Sequence, residues 1–287
     1  MPITIATANV NGIRAAVRRG FAGWLAARNP DVLCLQEVRA GESDIPAGTC
    51  DGYHLAYHEG SQKGRAGVAV LTRTAPEAVR VGFGSAEFDT QGRYIEVDLP
   101  GPTPGDPAGR LTVASLYLPK GAASGEILDS KLRFCKQLAE HVRSRSAEAE
   151  ATGGAYLVAG DFNIAPTQDD LKAWKTNLRS PGFLPVEREW FADLLAPPGG
   201  EGADSGTAPA VVDVLRRLHP DRPGPYTWWS WRGRQFDNDA GWRIDLHLAS
   251  PSLAATAMVG GVDREASYEA RVSDHSPVWV DYGWASS

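Results

Sequence analysis

The chain is a succession of short apolar runs, and several of them stop at an acid, an amide or an imidazole. Ile3 to Ala8 alternates and is β-branched, which predicts a strand ending at Asn9-Val10-Asn11-Gly12. Arg14 to Ala27 puts Val17, Phe21, Trp24 and Leu25 on one face and predicts a helix that Asn29-Pro30 ends. Asp31 to Gln36 predicts a buried strand that runs into Glu37. Gly67 to Arg73, Tyr94 to Leu99 and Leu111 to Leu118 predict further strands, with the Gly- and Pro-rich stretch Pro100 to Arg110 as a hairpin loop. Ile127 to Arg143 predicts a second helix. Tyr156 to Ala159, Ile244 to Ala249 and Val278 to Tyr282 complete the strands. Strands interleaved with helices indicate a layered α/β protein.

Four phrases at the ends of these runs carry chemistry: Asn9-Val10-Asn11-Gly12, Gln36-Glu37, Gly160-Asp161-Phe162-Asn163 and Ser273-Asp274-His275. Singly, each has a plain structural reading. Glu37 alone is a capping or surface glutamate, Asn11-Gly12 is a turn, and Gly160-Asp161 is an Asx-turn. Together they supply what metal-assisted phosphodiester hydrolysis needs: oxygen ligands for a hard divalent cation, donors for a phosphate, and a base. Asn9 and Asn11 flank one residue, as do Asp161 and Asn163, so each pair points one way from an extended strand end. Asp245 stands in the apolar run Arg243-Ile244-Asp245-Leu246-His247-Leu248, where an unpartnered acid is costly. A histidine beside it would be oriented and kept protonated. His275 is preferred for that place because Asp274 beside it adds a second acid, with His247, on the same face as Asp245, as its competitor. Tyr117 ends a strand and offers a phenol to a phosphate; it is otherwise a packed aromatic. Arg93 at the head of a strand is a weaker phosphate candidate. Trp228, Trp229 and Trp231 adjoin Arg232 and Arg234, a combination that stacks on bases or fills the gap left by a missing one, although core packing serves such rings equally.

Composition narrows the setting. The 287 residues are 43% hydrophobic and 22% charged, enough for a sizeable core. We read residues 1–287 as a single domain, and Ala196 to Ala210 as a flexible loop rather than a linker, because site residues lie on both sides of it. No run of 18 apolar residues predicts a membrane span. The N-terminus lacks the basic-then-apolar pattern of a signal peptide. Cys34, Cys50 and Cys135 are scattered without metal or disulfide spacing, and Cys34 lies inside an apolar run. A cytoplasmic, reducing compartment is expected. The net charge of −6 argues weakly against nucleic acid, but local asymmetry outweighs the sum. Basic residues cluster at Arg14, Arg18 and Arg19, at Lys131, Arg133 and Lys136, and at Arg216, Arg217, Arg222, Arg232 and Arg234. A narrow basic rim around an acidic pocket reconciles the two observations. For each cluster the bland alternative is solvated surface.

The chain resembles the bacterial exonuclease III family, the apurinic/apyrimidinic endonucleases of the endonuclease/exonuclease/phosphatase superfamily. The resemblance rests on Asn9-Val10-Asn11-Gly12-Ile13-Arg14, Leu35-Gln36-Glu37, Gly67-Val68-Ala69, Tyr117-Leu118-Pro119, and Gly160-Asp161-Phe162-Asn163-Ile164-Ala165-Pro166. It extends to Phe183-Leu184-Pro185-Val186-Glu187-Arg188-Glu189-Trp190, Arg243-Ile244-Asp245 and Ser273-Asp274-His275-Ser276-Pro277. It implies a four-layer α/β sandwich, two packed sheets flanked by helices, with the site at one edge. It also implies an Mg²⁺ or Mn²⁺ enzyme, a monomer acting on double-stranded DNA at abasic sites or 3′ ends and leaving 3′-OH. Carried over residue by residue, Glu37 is the principal metal ligand, with Asn9 and Asp274 near the metal. Asp161 is the general base or acid, and Asn163 and Tyr117 position phosphate or nucleophile. His275, paired with Asp245, stabilises the transition state. Asn11, Arg93, Lys120 and Trp228 are placed at the substrate, Trp228 beside the abasic pocket. The chain departs from the family pattern in the length of the loop Ala196 to Ala210, in Lys120 where a neutral polar residue can stand, and in Ser230 where an acid can. Those positions lie at edges expected to meet DNA, so they bear on the balance of exonuclease and endonuclease activities. A phosphoinositide phosphatase or sphingomyelinase of the same superfamily would keep the chemistry, but would need a membrane-binding apolar patch. A DNA-binding module without catalysis would lack Glu37, Asp161 or His275.

Overall fold

The computed structural model describes residues 2–101, 103, 105–197 and 208–284. Residues 198–207 of the loop expected over 196–210 lie outside the described residues. In chain order the strands are β1 (Ile3–Asn9), β2 (Val32–Gln36), β3 (His54–His58), β4 (Val68–Thr72), β5 (Ala78–Val81), β6 (Tyr94–Leu99), β7 (Leu111–Tyr117), β8 (Ala155–Asp161), β9 (Val212–Asp213), β10 (Asp245–Ala249), β11 (Ala257–Val262) and β12 (Val278–Tyr282). The helices are α1 (Ile13–Arg18), α2 (Phe21–Arg28), α3 (Glu126–Ala151), α4 (Pro185–Leu195), α5 (Val214–Leu218) and α6 (Pro251–Ala255).

The strands form two six-stranded mixed sheets, ordered β11-β12-β1-β2-β4-β3 and β5-β6-β7-β8-β10-β9. Among the described residues, only β1–β2 and β7–β8 pair in parallel. Alternation along the central strands builds four layers, because successive side chains point to opposite faces. Ile3, Ile5, Val32, Cys34, Leu111, Val113, Ala155 and Leu157 meet between the sheets. Ala6, Leu33 and Leu35 face the other way, onto Phe21 and Leu25 of α2. Ala114, Leu116, Tyr156 and Val158 face Phe134, Leu138 and Val142 of α3 and Phe191 of α4. Burial on both faces is why these strands read as continuous apolar runs.

Two helices differ from expectation. The single helix expected over 14–27 is two, because Gly20 takes the left-handed conformation at φ 104° and breaks it. The helix expected to end at Arg143 continues to Ala151 through Ala and Glu, both good helix formers. The loop at 100–110 does join an antiparallel pair, β6 and β7. Among the described residues, no helix is long and apolar enough to cross a membrane.

Candidate active site

The inner faces of five strands turn from apolar to polar at one edge of the sandwich. β1 reads Ile3, Ile5, Thr7, Asn9 on that face, and β2 reads Val32, Cys34, Gln36. β7 reads Leu111, Val113, Ser115, Tyr117, and β8 reads Ala155, Leu157, Ala159, Asp161. β10 runs the other way and starts at Asp245. Register does the rest: Asn9 lies opposite Gln36, and Asp161 lies opposite both Tyr117 and Asp245. Two links join the sheets just beneath. Gln36 Nε2 donates to Ser115 Oγ at 3.0 Å, and Ser115 Oγ donates to Leu35 O at 2.9 Å.

The backbone leaves the strand ends in strained turns. Asn11, Glu37, Arg39 and Asn163 all have φ between 44° and 53°, a left-handed conformation that non-glycine residues seldom take. Gly160, just before Asp161, can only be glycine, since a Cβ there would lie 2.0 Å from Leu116 O.

Asn9 Nδ2 bridges the two sheets' acids, donating to Glu37 Oε1 and to Asp161 Oδ2, each at 2.9 Å. Its own oxygen accepts the Asn11 N–H at 3.0 Å. Asp161 further accepts the Asn163 backbone N–H at 2.8 Å, and Asn163 Nδ2 reaches across to Leu118 O. His275 Nδ1 is 2.8 Å from Asp245 Oδ2, and its Nε2 is 3.8 Å from Asp161 Oδ2. His247 sits on the same face as Asp245 but pairs across the core with Tyr282 Oη at 3.1 Å. Asp274 is turned elsewhere: its carboxylate accepts from Asn11 Nδ2 at 2.7 Å and from Trp228 Nε1 at 3.1 Å. Thus Glu37, Asp161 and His275 come together with Asn9 between the acids, while Asp274 holds Asn11 and Trp228 at the rim.

Burial and charge fix the protonation states. Burial raises the Asp161 carboxyl to about 7, with Asp245 and Glu37 adding to the rise and His275 opposing it. Burial alone would depress His275, but Asp245 and Asp161 overcome it and raise the imidazole to about 10. Burial and the Glu37 and Asp161 carboxylates push the Tyr117 phenol up, so it stays a donor. Asp274 is lowered, because His275, Trp228 and Asn11 outweigh its desolvation.

Crowded oxygen donors suit a hard divalent cation. Ligand atoms of Glu37, Asp161 and His275 lie within 4.8 Å of one another. Asp245 Oδ1 is buried without a hydrogen-bond partner among the described residues. That cluster of two carboxylates and an imidazole could hold a metal ion.

A cleft of ≈ 370 Å³ opens over these groups, lined by Asn11, Glu37, Arg39, Tyr117, Lys120, Asp161, Asn163, Asp274 and His275 on its polar side. Trp228, Trp242 and Ile244 form the apolar wall, and Asn177, Ser180, Pro181 and Gly182 close it. Trp228 packs edge-on against Trp242 at 6.1 Å. Trp229 is core at 1% exposure. Arg93 does not line the cleft; it lies 5.0 Å from the Tyr117 ring and donates to Tyr117 O, so it supports the phenol from behind.

Sequence reading missed Arg39, which ion-pairs with Glu37 and lines the cleft. The two-residue spacing that marks Asn9 with Asn11 and Asp161 with Asn163 also joins Glu37 to Arg39, and was a usable signal. Two of the basic clusters are partly structural. Lys131 is fully buried against Glu187, Arg133 pairs with Glu87 and Glu126, and Arg216 pairs with Asp170. Arg14, Arg18, Lys120, Arg232 and Arg234 are exposed, and of these Lys120 lines the cleft.

Residues 6–275 match the Endonuclease/Exonuclease/phosphatase family, and the chain belongs to it. Among its relatives, it is 30% identical to exodeoxyribonuclease III of Haemophilus influenzae, over 96% of this chain and 97% of that protein. It is 31% identical to the DNA-(apurinic or apyrimidinic site) endonuclease of Dictyostelium discoideum, over 95% of this chain and 68% of that one. The solved 3′ phosphatase NExo from Neisseria, bound to a product DNA hairpin, superposes with a TM-score of 0.79 at 30% identity, covering 98% of this chain and 100% of that one.

Proposed function

We propose that the protein is an Mg²⁺-dependent DNA-repair phosphodiesterase, a 3′-5′ exonuclease on duplex DNA that also cuts 5′ to abasic sites and leaves 3′-OH. One observation carries the reading. Glu37, from one sheet, and Asp161, from the other, meet within 4.8 Å at a histidine that a third acid holds. The family and the nuclease names of relatives matching end to end support it. Both sheets build one site, so the chain acts as one unit.

Glu37 would hold the cation with Asp161 facing it, and the bound cation would neutralise phosphate charge and ease departure of the leaving oxygen. Asn9 spaces the two carboxylates. Asp161, buried across from Glu37, would act as the general base and take the proton of the attacking water. His275, raised to about 10, is an imidazolium and faces the developing charge as a cation rather than as a base. Tyr117 donates its phenol proton to a phosphate oxygen, and Asn163 positions the same group. Asn11 and Asp274 fix Trp228, which with Trp242 and Ile244 gives an apolar wall for a sugar lacking its base. Lys120 and the exposed arginines hold the flanking backbone, and the enzyme works as a monomer in a reducing compartment.

The test is cleavage of a duplex bearing one abasic-site analogue, with Mg²⁺ and with EDTA, beside an intact duplex. An Mg²⁺-dependent cut 5′ to the lesion is expected, with slower loss from 3′ ends. Binding should weaken steeply between low and moderate salt, because phosphate contacts release counterions. No cleavage of either duplex would sink the reading.

A further inference from the structure

The ammonium of Lys131 on α3 and the carboxylate of Glu187 on α4 lie 2.6 Å apart, with both side chains fully buried. Lys131 Nζ donates to Glu187 Oε1, to Asn163 O at 3.0 Å and to Lys120 O at 3.2 Å. Three protons meet three acceptors. Glu187 Oε2 accepts the N–H groups of Gly182 at 2.7 Å and Leu184 at 2.9 Å. Apolar side chains of similar volume often stabilise a site as well as a buried ion pair does, so stability alone does not account for this one.

Its connections give the better account. The pair gathers three segments: the one after β7, the one after β8, and the one leading into α4. All three line the cleft, through Lys120, Asn163 and Ser180 to Gly182. They are packed to closest approach around it. A Cβ at Gly121 would lie 2.6 Å from Lys131 Cδ, and one at Gly182 would lie 2.9 Å from Asn163 O. Neither charged group reaches the cleft, so the pair can act only through the segments it joins.

We propose that Lys131 and Glu187 form a positioning pair that sets the cleft's geometry through Asn163 and the Ser180–Gly182 wall. The proposal rests on the nuclease reading. A pair that positions the reacting groups governs turnover, whereas one that binds DNA would govern affinity.

The experiment compares Glu187→Gln and the double variant Lys131→Met/Glu187→Gln with the unaltered protein. The double variant leaves no lone buried charge, and so keeps the question open should the single one fold poorly. Hydrogen exchange on the free proteins should rise together in segments 118–121, 163–165 and 180–184. On the abasic duplex, kcat per folded molecule should fall roughly 10- to 100-fold with KM within about threefold, as for a small misplacement of reacting groups. Faster exchange confined to Gly182 and Leu184 would overturn the proposal. So would coupled exchange with kcat unchanged, or a loss expressed only in KM. If the unaltered protein cleaves neither duplex, the nuclease reading fails, while the exchange data still decide whether the pair couples the three segments.

Discussion

Asp245 and His275 stand 2.8 Å apart at the meeting of β10 and the loop before β12, and both are buried. The acid keeps the imidazole charged and aimed at Asp161. Asp245→Asn should therefore lower kcat by roughly 10²–10⁴-fold, the range for a lost acid–base or electrostatic group, with little change in KM. The sign of the pH effect follows. An imidazolium persists below its pKa, which is about 10 in the intact site. Without the carboxylate that pKa falls, so the high-pH limb of kcat should move to lower pH. A limb that stays in place would show that Asp245 does not set the charge of His275.

Both oxygens of Glu37 are engaged: Asn9 bonds one and Arg39 pairs with the other. Glu37→Gln should raise the half-saturating Mg²⁺ concentration and cost roughly 10²–10⁴-fold in rate. Arg39→Gln should shift the Mg²⁺ titration the opposite way, because guanidinium and cation compete for one carboxylate. Titrations of initial rate against Mg²⁺ for the two variants check both directions.

Behind Asp245 lies a buried ionic network. Arg243 Nε meets Asp170 at 2.6 Å, and its two terminal nitrogens donate to Asp213 at 2.9 and 2.7 Å. Asp170 also caps the turn at Thr167 and pairs with Arg216. Asp170→Asn removes the charge and leaves Arg243 short of a partner in the interior. A loss of about 3–5 kcal/mol is expected, a fall in Tm of roughly 6–20 °C. Thermal unfolding followed by circular dichroism measures it, and a shift under two degrees would refute it.

His247 gives a pH dependence remote from the chemistry. Burial lowers its pKa to about 3 in the folded protein, against an ordinary 6.5. Between those values the unfolded chain holds a proton that the folded one does not, so stability is full above pH 6.5 and declines as pH falls toward 3. The slope assigned to this group is about 1.4 kcal/mol per pH unit. His247→Gln should flatten the fall in unfolding free energy, taken from urea titrations between pH 6 and 4, by about that amount per pH unit.

Much of this was legible because the central strands are apolar on both faces, and their polar ends stand out. Asp161 could be found as the first polar inner-face position after an apolar row, and Asn9, Tyr117 and Asp245 as the polar residues that end such rows. The strands that escaped notice, His54–His58, Ala78–Val81, Val212–Asp213 and Ala257–Val262, are the four sheet edges. An edge strand is half exposed and need not be apolar, so its pattern is faint. Lys131 and Glu187 were illegible for another reason. A lysine on a helix and a glutamate on another read as surface, and only the packing of α3 on α4 makes them a pair. The choice between His275 and His247 as partner of Asp245 needed the sheet-to-sheet geometry as well, since both were candidates on face and spacing.

The link Gln36–Ser115–Leu35 fixes one sheet to the other immediately below groups that hang from both. The gap between Glu37 and Asp161 therefore depends on sandwich thickness as well as on the turn that carries Glu37. Turnover then works as a caliper on the hydrophobic core. A change of volume between Cys34 and Val113 that folding would absorb should still register as lost rate.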